Sequence, residues 1–385
     1  MNWLTKKRRI PPVVLFAIII VIILIIVALV FTLLRNSGLQ IPGLQNSADT
    51  PATQPGETSG TQGTPGATGD SETANYPDGV YTGHFSGSQT DETTPAARSG
   101  HGVMAYTDGR VYEGNWENDQ RSGQGTLTWP DGNIYTGDWV NDVRTGTGTY
   151  TWSSGAEYTG SWVANNRSGH GVMIHSSGSK YDGEWENDFK SGTGTFVWTN
   201  GDTYTGNWKN DERSGSGTHT WMNGETYSGE WENNNRSGYG VLTFTNGNRY
   251  EGDWKNDAKS GNGTFTWEAG DIYTGNWEED ARTGYGVMKY ANGSRYEGEW
   301  LNNTVSGFGV LEYNNGNKYE GNWLDGEFSG TGIYSWANGN SYSGNWANNL
   351  RSGYGVFTPA DGEILDGIWI DGVFVGQPTS SPPVP

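Results

Sequence analysis

A repeat of 23 residues covers most of this chain and limits the folds that it can adopt. In each unit a tyrosine is followed four residues later by a tryptophan, and a Gly-x-Gly step comes after both. Units this short cannot enclose a core alone, so each must pack against its neighbours. The sequence therefore predicts a stacked array. Its tyrosines are Tyr112, Tyr135, Tyr158, Tyr181, Tyr204, Tyr227, Tyr250, Tyr273, Tyr296, Tyr319 and Tyr342.

Each unit has the pattern of a β-hairpin. Tyr, Gly and Trp alternate with polar residues along a first strand, so the three share one face. Asp-Gly or Asn-Gly pairs such as Asp131-Gly132 and Asn246-Gly247 close most units, and we predict a tight primed turn at these pairs. We expect each indole to lie across neighbouring glycines, which have no side chain to block it. The repeat-core residues include Tyr112, Gly114, Trp116, Gly123, Gly125, Tyr250, Gly252, Trp254, Gly261, Gly263, Tyr273 and Trp277.

The repeat resembles the MORN family (membrane occupation and recognition nexus). The resemblance rests on YEGDWKNDAKSGNGTFTWEAGD, which begins at Tyr250, and on ten further copies, and it covers about 300 of the 385 residues. It implies an all-β fold in which hairpins join edge to edge into an elongated, twisted antiparallel array. It also implies a module for interaction and assembly.

An apolar segment near the N-terminus predicts one transmembrane helix. Residues 13–34 carry no charge and are long enough to cross a bilayer, and Lys6–Arg9 precede them. Basic residues stay cytoplasmic, which places the N-terminus inside and the repeats outside the cell. A cleaved signal peptide is the alternative, although its apolar region would be shorter. The predicted organisation is a basic N-terminus (1–12), the helix (13–34), a Ser/Thr/Gly/Pro-rich stalk (35–75), a degenerate cap repeat (76–111), eleven repeats (112–364), a half-repeat cap (365–376) and a disordered tail (377–385).

Composition argues against several classes of function. The chain has no cysteine, which excludes disulfides and thiolate metal sites. Beyond residue 35 there are 18 basic and 43 acidic residues, a net charge of −25, and such a field repels nucleic acid. No Gly-x-Gly step extends into a nucleotide-binding motif. We expect no enzyme, no cofactor and no metal site.

A basic column recurs in the connections and has two interpretations. Its members precede Ser-Gly or Thr-Gly, and an Asp or Asn stands two residues earlier, as Asp119 does before Arg121. The first interpretation is local pairing within the connection, and the second is a ladder of cations that meets an anionic polymer. The column comprises Arg121, Arg144, Arg167, Lys190, Arg213, Arg236, Lys259, Arg282 and Arg351.

One irregularity marks a candidate contact surface. Most units carry a small polar residue between the paired glycines and Thr after the second glycine. Other units carry a ring and a β-branched apolar residue at those positions, which share a face. Two such units are adjacent, and apolar residues replace the basic column beside them. We predict an apolar contact patch of Tyr285, Val287, Val305, Phe308, Val310, Phe328 and Ile333, although these residues could equally cover one another within the sheet.

Two non-enzymatic functions fit these features. The first is a membrane-anchored scaffold that mediates protein–protein interaction, including self-association, or assembly at the cell surface. The second is a carbohydrate-binding array of the cell envelope that stacks sugars on exposed rings. Exposed indoles at the ends of the second strands would favour the second function, and buried ones the first. These indoles are Trp129, Trp152, Trp198, Trp221, Trp267 and Trp336.

Overall fold

The described part of the protein is one antiparallel β-sheet in which each strand pairs with the strands before and after it. A computed structural model describes residues 71–86 and 96–377. These residues contain 27 strands and no helix. The strands are β1 (Glu72–Tyr76), β2 (Gly79–Ser86), β3 (Ala97–Tyr106), β4 (Val111–Glu117), β5 (Gln120–Thr128), β6 (Ile134–Val140), β7 (Val143–Thr151), β8 (Glu157–Val163), β9 (Asn166–Ile174), β10 (Lys180–Glu186), β11 (Phe189–Val197), β12 (Thr203–Lys209), β13 (Glu212–Thr220), β14 (Thr226–Glu232), β15 (Asn235–Thr243), β16 (Arg249–Lys255), β17 (Ala258–Thr266), β18 (Ile272–Glu278), β19 (Ala281–Lys289), β20 (Arg295–Leu301), β21 (Thr304–Glu312), β22 (Lys318–Leu324), β23 (Glu327–Ser335), β24 (Ser341–Ala347), β25 (Leu350–Thr358), β26 (Leu365–Ile370) and β27 (Val373–Gly376).

The all-β prediction is confirmed for this part of the chain. The predicted transmembrane helix at 13–34 lies outside the described residues, and among the described residues no helix is long and apolar enough to span a membrane. Strand β1 includes residues 72–75, which composition assigned to the stalk, because its backbone pairs in register with β2. Residues 365–376 form β26 and β27.

The primed turns lie at a different place from the one predicted. Asn118 and Asp119, between β4 and β5, both have positive φ, at 50° and 66°, so this two-residue turn is the primed one. At Asp131-Gly132 only Gly132 is left-handed, and its N–H donates to the carbonyl of Trp129 at 3.0 Å. That loop is a type I turn followed by a bulge, because a single left-handed residue is enough to reconnect the strands. Only Asn118 and Asp119 separate β4 from β5, so the polar residues that follow them already belong to a strand.

One face of the sheet, here called the inner face, holds a continuous ladder of rings. Tyr250 is fully buried and meets Trp254 and Trp277 edge-on, with ring centroids 5.1 and 5.4 Å away. Its hydroxyl donates to the carbonyl of Asp253 at 3.0 Å. Edge-to-face contacts of this kind contribute about 0.5–1.5 kcal/mol each beyond burial. Every tyrosine from Tyr81 to Tyr342 in this column is equally buried, so the ladder is the core.

The glycines have a different task from the one expected. Gly252 and Gly263 face each other across β16 and β17, and a Cβ on Gly263 would lie 2.3 Å from the Tyr250 hydroxyl oxygen. The tyrosine ring, and not the indole, therefore covers the glycine pair. The indole of Trp277 instead donates to the carbonyl of Gly263 at 3.2 Å. Gly261 supports no ring, because with φ of 57° it forms the bulge at which one residue of β16 faces three of β17.

Candidate functional site

The basic column lies on the inner face and is used by the fold. The Arg121 guanidinium sits 4.2 Å from the ring centroid of Trp139, and its Nε is 2.8 Å from a carboxylate oxygen of Asp142. The Arg121 side chain is only 14% exposed. The pairing interpretation is therefore right in kind but wrong about the partner, which is the turn residue of the next unit and not Asp119. Residues held in this way do not form a free ladder of cations.

The second-strand tryptophans are half-buried and pack on the edge of the ring ladder. Trp267 lies 4.5 Å from the ring of Phe265, and Trp152 lies 4.5 Å from Tyr150. All six residues of the set contact the core cluster. Part of each indole remains accessible, and the rest is covered by the core cluster.

His219 is a polar ring inside this ladder. It takes the position that Phe196 and Phe265 occupy in other units, and it is 5% exposed. Its Nδ1 lies 3.2 Å from Nη1 of Arg213 and accepts from it, which leaves the ring proton on Nε2. Burial lowers the pKa of His219, and the charges of Arg213 and Arg236 lower it further, against the opposing effect of Asp202.

Acidification should therefore weaken β13 and β14. The folded state holds His219 neutral below its ordinary pKa of about 6.5, while the unfolded chain takes up a proton. Stability due to this residue is complete above that pH and is lost as the pH falls towards the lowered folded value. Amide exchange of β13 should accelerate between pH 7.5 and 5, relative to the pH dependence of free amides, and His219→Phe should abolish the excess. If the acceleration of exchange at low pH were the same in the variant, a group other than His219 would be its cause.

The opposite, outer face of the sheet carries rows of two kinds. In the first kind, Thr faces Thr across neighbouring strands, and their hydroxyls are about 3 Å apart, as in Thr126–Thr136 and Thr264–Thr274. In the second kind, a Val faces an acid, as Val241 faces Glu251. In each row of the second kind, a ring stands between the two glycines of the strand that carries the Val, two residues before that Val.

In four rows of the second kind the ring also binds the acid. The hydroxyls of Tyr239 and Tyr285 donate to Glu251 and Glu297, and each acid also pairs with a basic residue two positions earlier. This hydrogen bond raises the pKa of Tyr239 and lowers that of Glu251, each being the largest cause of its shift. The same contact recurs between Tyr354 and Asp366 at 2.5 Å, and His170 lies 3.1 Å from Asp182. Sequence reasoning missed these acids, although each follows its ring by twelve residues.

The predicted contact patch divides between the two faces. Tyr285, Phe308 and Ile333 lie on the outer face and are 54%, 51% and 46% exposed, with Val287 and Val310 partly covered beside them. Phe328 is 8% exposed and stacks on Tyr319 with centroids 3.7 Å apart, and Val305 packs against the core cluster. These two residues replace members of the basic column, and that column faces inwards. The part of the patch that a partner can reach is the outer part.

Among the described residues, no three His, Asp or Glu side chains come together as a metal site. His170, one of the two histidines that the sequence places close together, pairs with Asp182 on the outer face.

Comparison with known families decides the classification of the repeat. The MORN repeat model matches residues 97–109 and eleven consecutive units, 112–134, 135–157, 158–180, 181–203, 204–226, 227–249, 250–272, 273–295, 296–318, 319–341 and 342–364. The chain belongs to the MORN repeat family. MORN arrays are repeat scaffolds that interact with proteins or membranes, and the resemblance predicted from the sequence is confirmed.

No curated protein matches the chain. Among solved structures, it is similar to the TCP10 domain of Danio rerio CPAP bound to a STIL peptide, with 11% identity and a TM-score of 0.31, over 63% of this chain and 98% of that one. The CPAP G-box domain matches with 12% identity and a TM-score of 0.28, over 58% and 100%. Virginiamycin B lyase from Staphylococcus aureus matches with 11% identity and a TM-score of 0.12, over 69% and 83%. None of these similarities bears on function.

Proposed function

We propose that the protein is a non-enzymatic, membrane-anchored scaffold whose MORN array binds a protein partner at the cell surface. The observation that carries the proposal is the column of exposed rings on the outer face. Tyr239, Tyr285, Phe308 and Tyr354 are all about half exposed, and they stand on the outer face where most other units carry a polar residue. Exposed rings on a rigid sheet are the residues that most often anchor protein interfaces.

The inner face supports this assignment because the fold already uses it. Its tyrosines and tryptophans are buried in the ladder, and its cations are held over indoles by the turn residues of the next unit, as Arg121 is held over Trp139 by Asp142. Variation between units that the core does not require is concentrated on the outer face. Recognition by this protein therefore belongs to that face.

The anchor and the location are inferred from the sequence. Residues 13–34 are apolar, and Lys6–Arg9 precede them, which favours an N-terminus inside the cell and an array outside it. The acidic array would be repelled by anionic lipid headgroups, so we favour a protein over a membrane surface as its partner.

The carbohydrate-binding alternative receives less support. Sugar stacking needs an open ring face, and the six second-strand indoles are half-buried against neighbouring rings such as Phe265 and Tyr150. Some of the exposed outer rings already form hydrogen bonds to acids through their hydroxyls, as Tyr285 does to Glu297.

Cross-linking on intact cells tests the scaffold and its location together. A membrane-impermeant cross-linker should join the full chain to a discrete protein, and serine at the four outer rings should reduce that product at least about tenfold, because interface rings carry a large share of binding energy. Wall polysaccharide fractions are assayed in parallel. Binding of polysaccharide without a protein partner would contradict the scaffold, and a product formed only after lysis would contradict the surface location.

A matched variant controls for general loss of apolar surface. It replaces four equally exposed apolar residues at strand ends with serine, and it should capture the partner like the unmodified chain. These residues are Val140, Val163, Leu301 and Leu324.

A further inference from the structure

Phe308 breaks the hydrogen-bonding pattern of the outer face. In equivalent rows a tyrosine hydroxyl binds the acid that follows, but Phe308 has no hydroxyl to offer Glu320. Lys318 donates to Oε2 of Glu320 at 2.7 Å, while Oε1 has no hydrogen-bond partner among the described residues. One carboxylate oxygen therefore faces solvent beside a half-exposed ring.

A second polar group in the same row is left open in the same way. Ile333 stands where other rows have Thr, so the hydroxyl of Ser343 opposite it has no partner within the described chain. In an equivalent row Ser228 accepts from Thr218 at 3.1 Å. Both open groups result from an apolar residue in a place where other rows have a hydroxyl.

The open groups line one groove. Glu320, Ile333 and Ser343 face one another in register across β22, β23 and β24, and Phe308 lies diagonally across from Glu320 on β21. The groove has a volume of about 330 Å³, and the backbone of Gly321, Gly332 and Gly344 forms part of its lining. This volume can hold one long side chain.

Charge indicates the sign of the occupant. On the outer face of β20–β26 acids outnumber bases, and the whole chain carries a net charge of −20. Anionic groups are repelled from such a face and cationic groups are attracted to it. The acids are Glu297, Glu299, Glu312, Glu320, Glu327 and Asp366, and the bases are Arg295 and Lys318.

The inner face shows what a ring and a carboxylate hold in this fold. Arg121 lies over Trp139 and donates to Asp142, and Arg167 and Arg236 are held by an indole and a carboxylate in the same way. At the outer groove a ring and a carboxylate oxygen are present without a guanidinium. Stacking on a ring together with pairing to a carboxylate is a favourable environment for arginine.

We propose that this groove binds an arginine side chain from a basic segment of the partner protein. The guanidinium lies over Phe308 and donates to Oε1 of Glu320 and to the Ser343 hydroxyl, and its aliphatic stem packs on Ile333. This proposal rests on the scaffold function and names the chemistry of its partner.

Titration of the full chain with defined peptides tests the groove. The probe is a short Gly/Ser peptide that contains arginines, and its control is the same peptide with uncharged citrulline in their place. The arginine peptide should bind and the citrulline peptide should not. Phe308→Tyr should lower the affinity about tenfold, because the new hydroxyl binds Glu320 as Tyr285 binds Glu297.

Two further variants separate the groove from general attraction to an acidic face. Glu320→Gln should lower the affinity about as much as Phe308→Tyr, while Glu251→Gln, which changes the net charge equally, should leave it unchanged. Tyr285→Phe should raise the affinity, since it frees an oxygen of Glu297 in the same way. Equal effects of Glu320→Gln and Glu251→Gln would overturn the proposal.

Two remaining outcomes also contradict the groove and are distinct from failure of the scaffold. The first is binding of a neutral glucan oligosaccharide in a manner sensitive to Phe308→Tyr, without arginine-peptide binding. The second is that the arginine peptide does not bind, while the Phe308→Tyr variant is cross-linked at the cell surface as well as the unmodified chain. That result would contradict the groove and leave the scaffold function intact. Absence of any protein product with the unmodified chain would instead contradict the scaffold.

Discussion

Replacing Trp277 by alanine should destabilise the neighbouring strands β17 and β18 by about 3–5 kcal/mol, the usual cost of removing a buried large aromatic side chain. Trp277 is 6% exposed, and its ring meets those of Tyr250 and Tyr273 edge-on. The substitution also leaves the carbonyl of Gly263 without its indole donor. Because each unit contacts only its neighbours, the loss should remain local.

Native-state amide exchange resolves such a local loss better than a single unfolding midpoint, since long arrays do not unfold as one unit. Protection should fall in β17 and β18 and persist in β5 and β6. Trp267→Ala is the matched control, because this indole is half-buried and donates no hydrogen bond among the described residues. Its cost should be about 1–2 kcal/mol. Equal losses in the two variants would contradict the assignment of the ladder as the core.

The period of the repeat was sufficient to predict the strands and their faces. Alternation placed Tyr250, Gly252 and Trp254 on one side of the sheet, as the structure does. The same alternation could have divided the predicted contact patch between the two faces of the sheet. Val305 is an even number of residues from the buried Gly309 and shares its face, while Phe308 shares the opposite face with Val310. Grouping these residues by apolar character alone placed two core residues on the surface.

Other features could not be predicted, because a repeat makes sequence spacing ambiguous. Asp142 stands two residues before Arg144 and 21 residues after Arg121, and the same two spacings hold in many units. Only the register shows that the longer spacing is the contact. The turns were ambiguous for a similar reason, since Asn118-Asp119 and Asp131-Gly132 are both turn-forming pairs, and which pair takes two left-handed residues depends on the twist that the strands require.

Gly263→Ala should destabilise β16 and β17 by about 3 kcal/mol, the upper part of the range for inserting atoms into a packed core. The backbone of Gly263 is not left-handed, so alanine is conformationally acceptable there. The cost is steric, because the new Cβ would lie 2.3 Å from the Tyr250 hydroxyl oxygen and 2.5 Å from Cζ. The ring, which is fully buried, must then leave its contacts with Trp254 and Trp277.

Gly155→Ala isolates the conformational cost of replacing a glycine. Gly155 has φ of 86°, and a Cβ there would meet nothing within 4 Å, so that variant should lose only about 1–2 kcal/mol for the left-handed backbone. Tyr250→Phe in the Gly263→Ala background should restore little, since removing the hydroxyl leaves Cζ in the way. Amide exchange of β16 and β17 measures the effect of Gly263→Ala, alone and combined with Tyr250→Phe. Amide exchange of β7 and β8 measures the effect of Gly155→Ala. If Gly263→Ala cost no more than Gly155→Ala, the tyrosine ring could not be what requires glycine in the repeat, and the requirement would have to lie in the backbone.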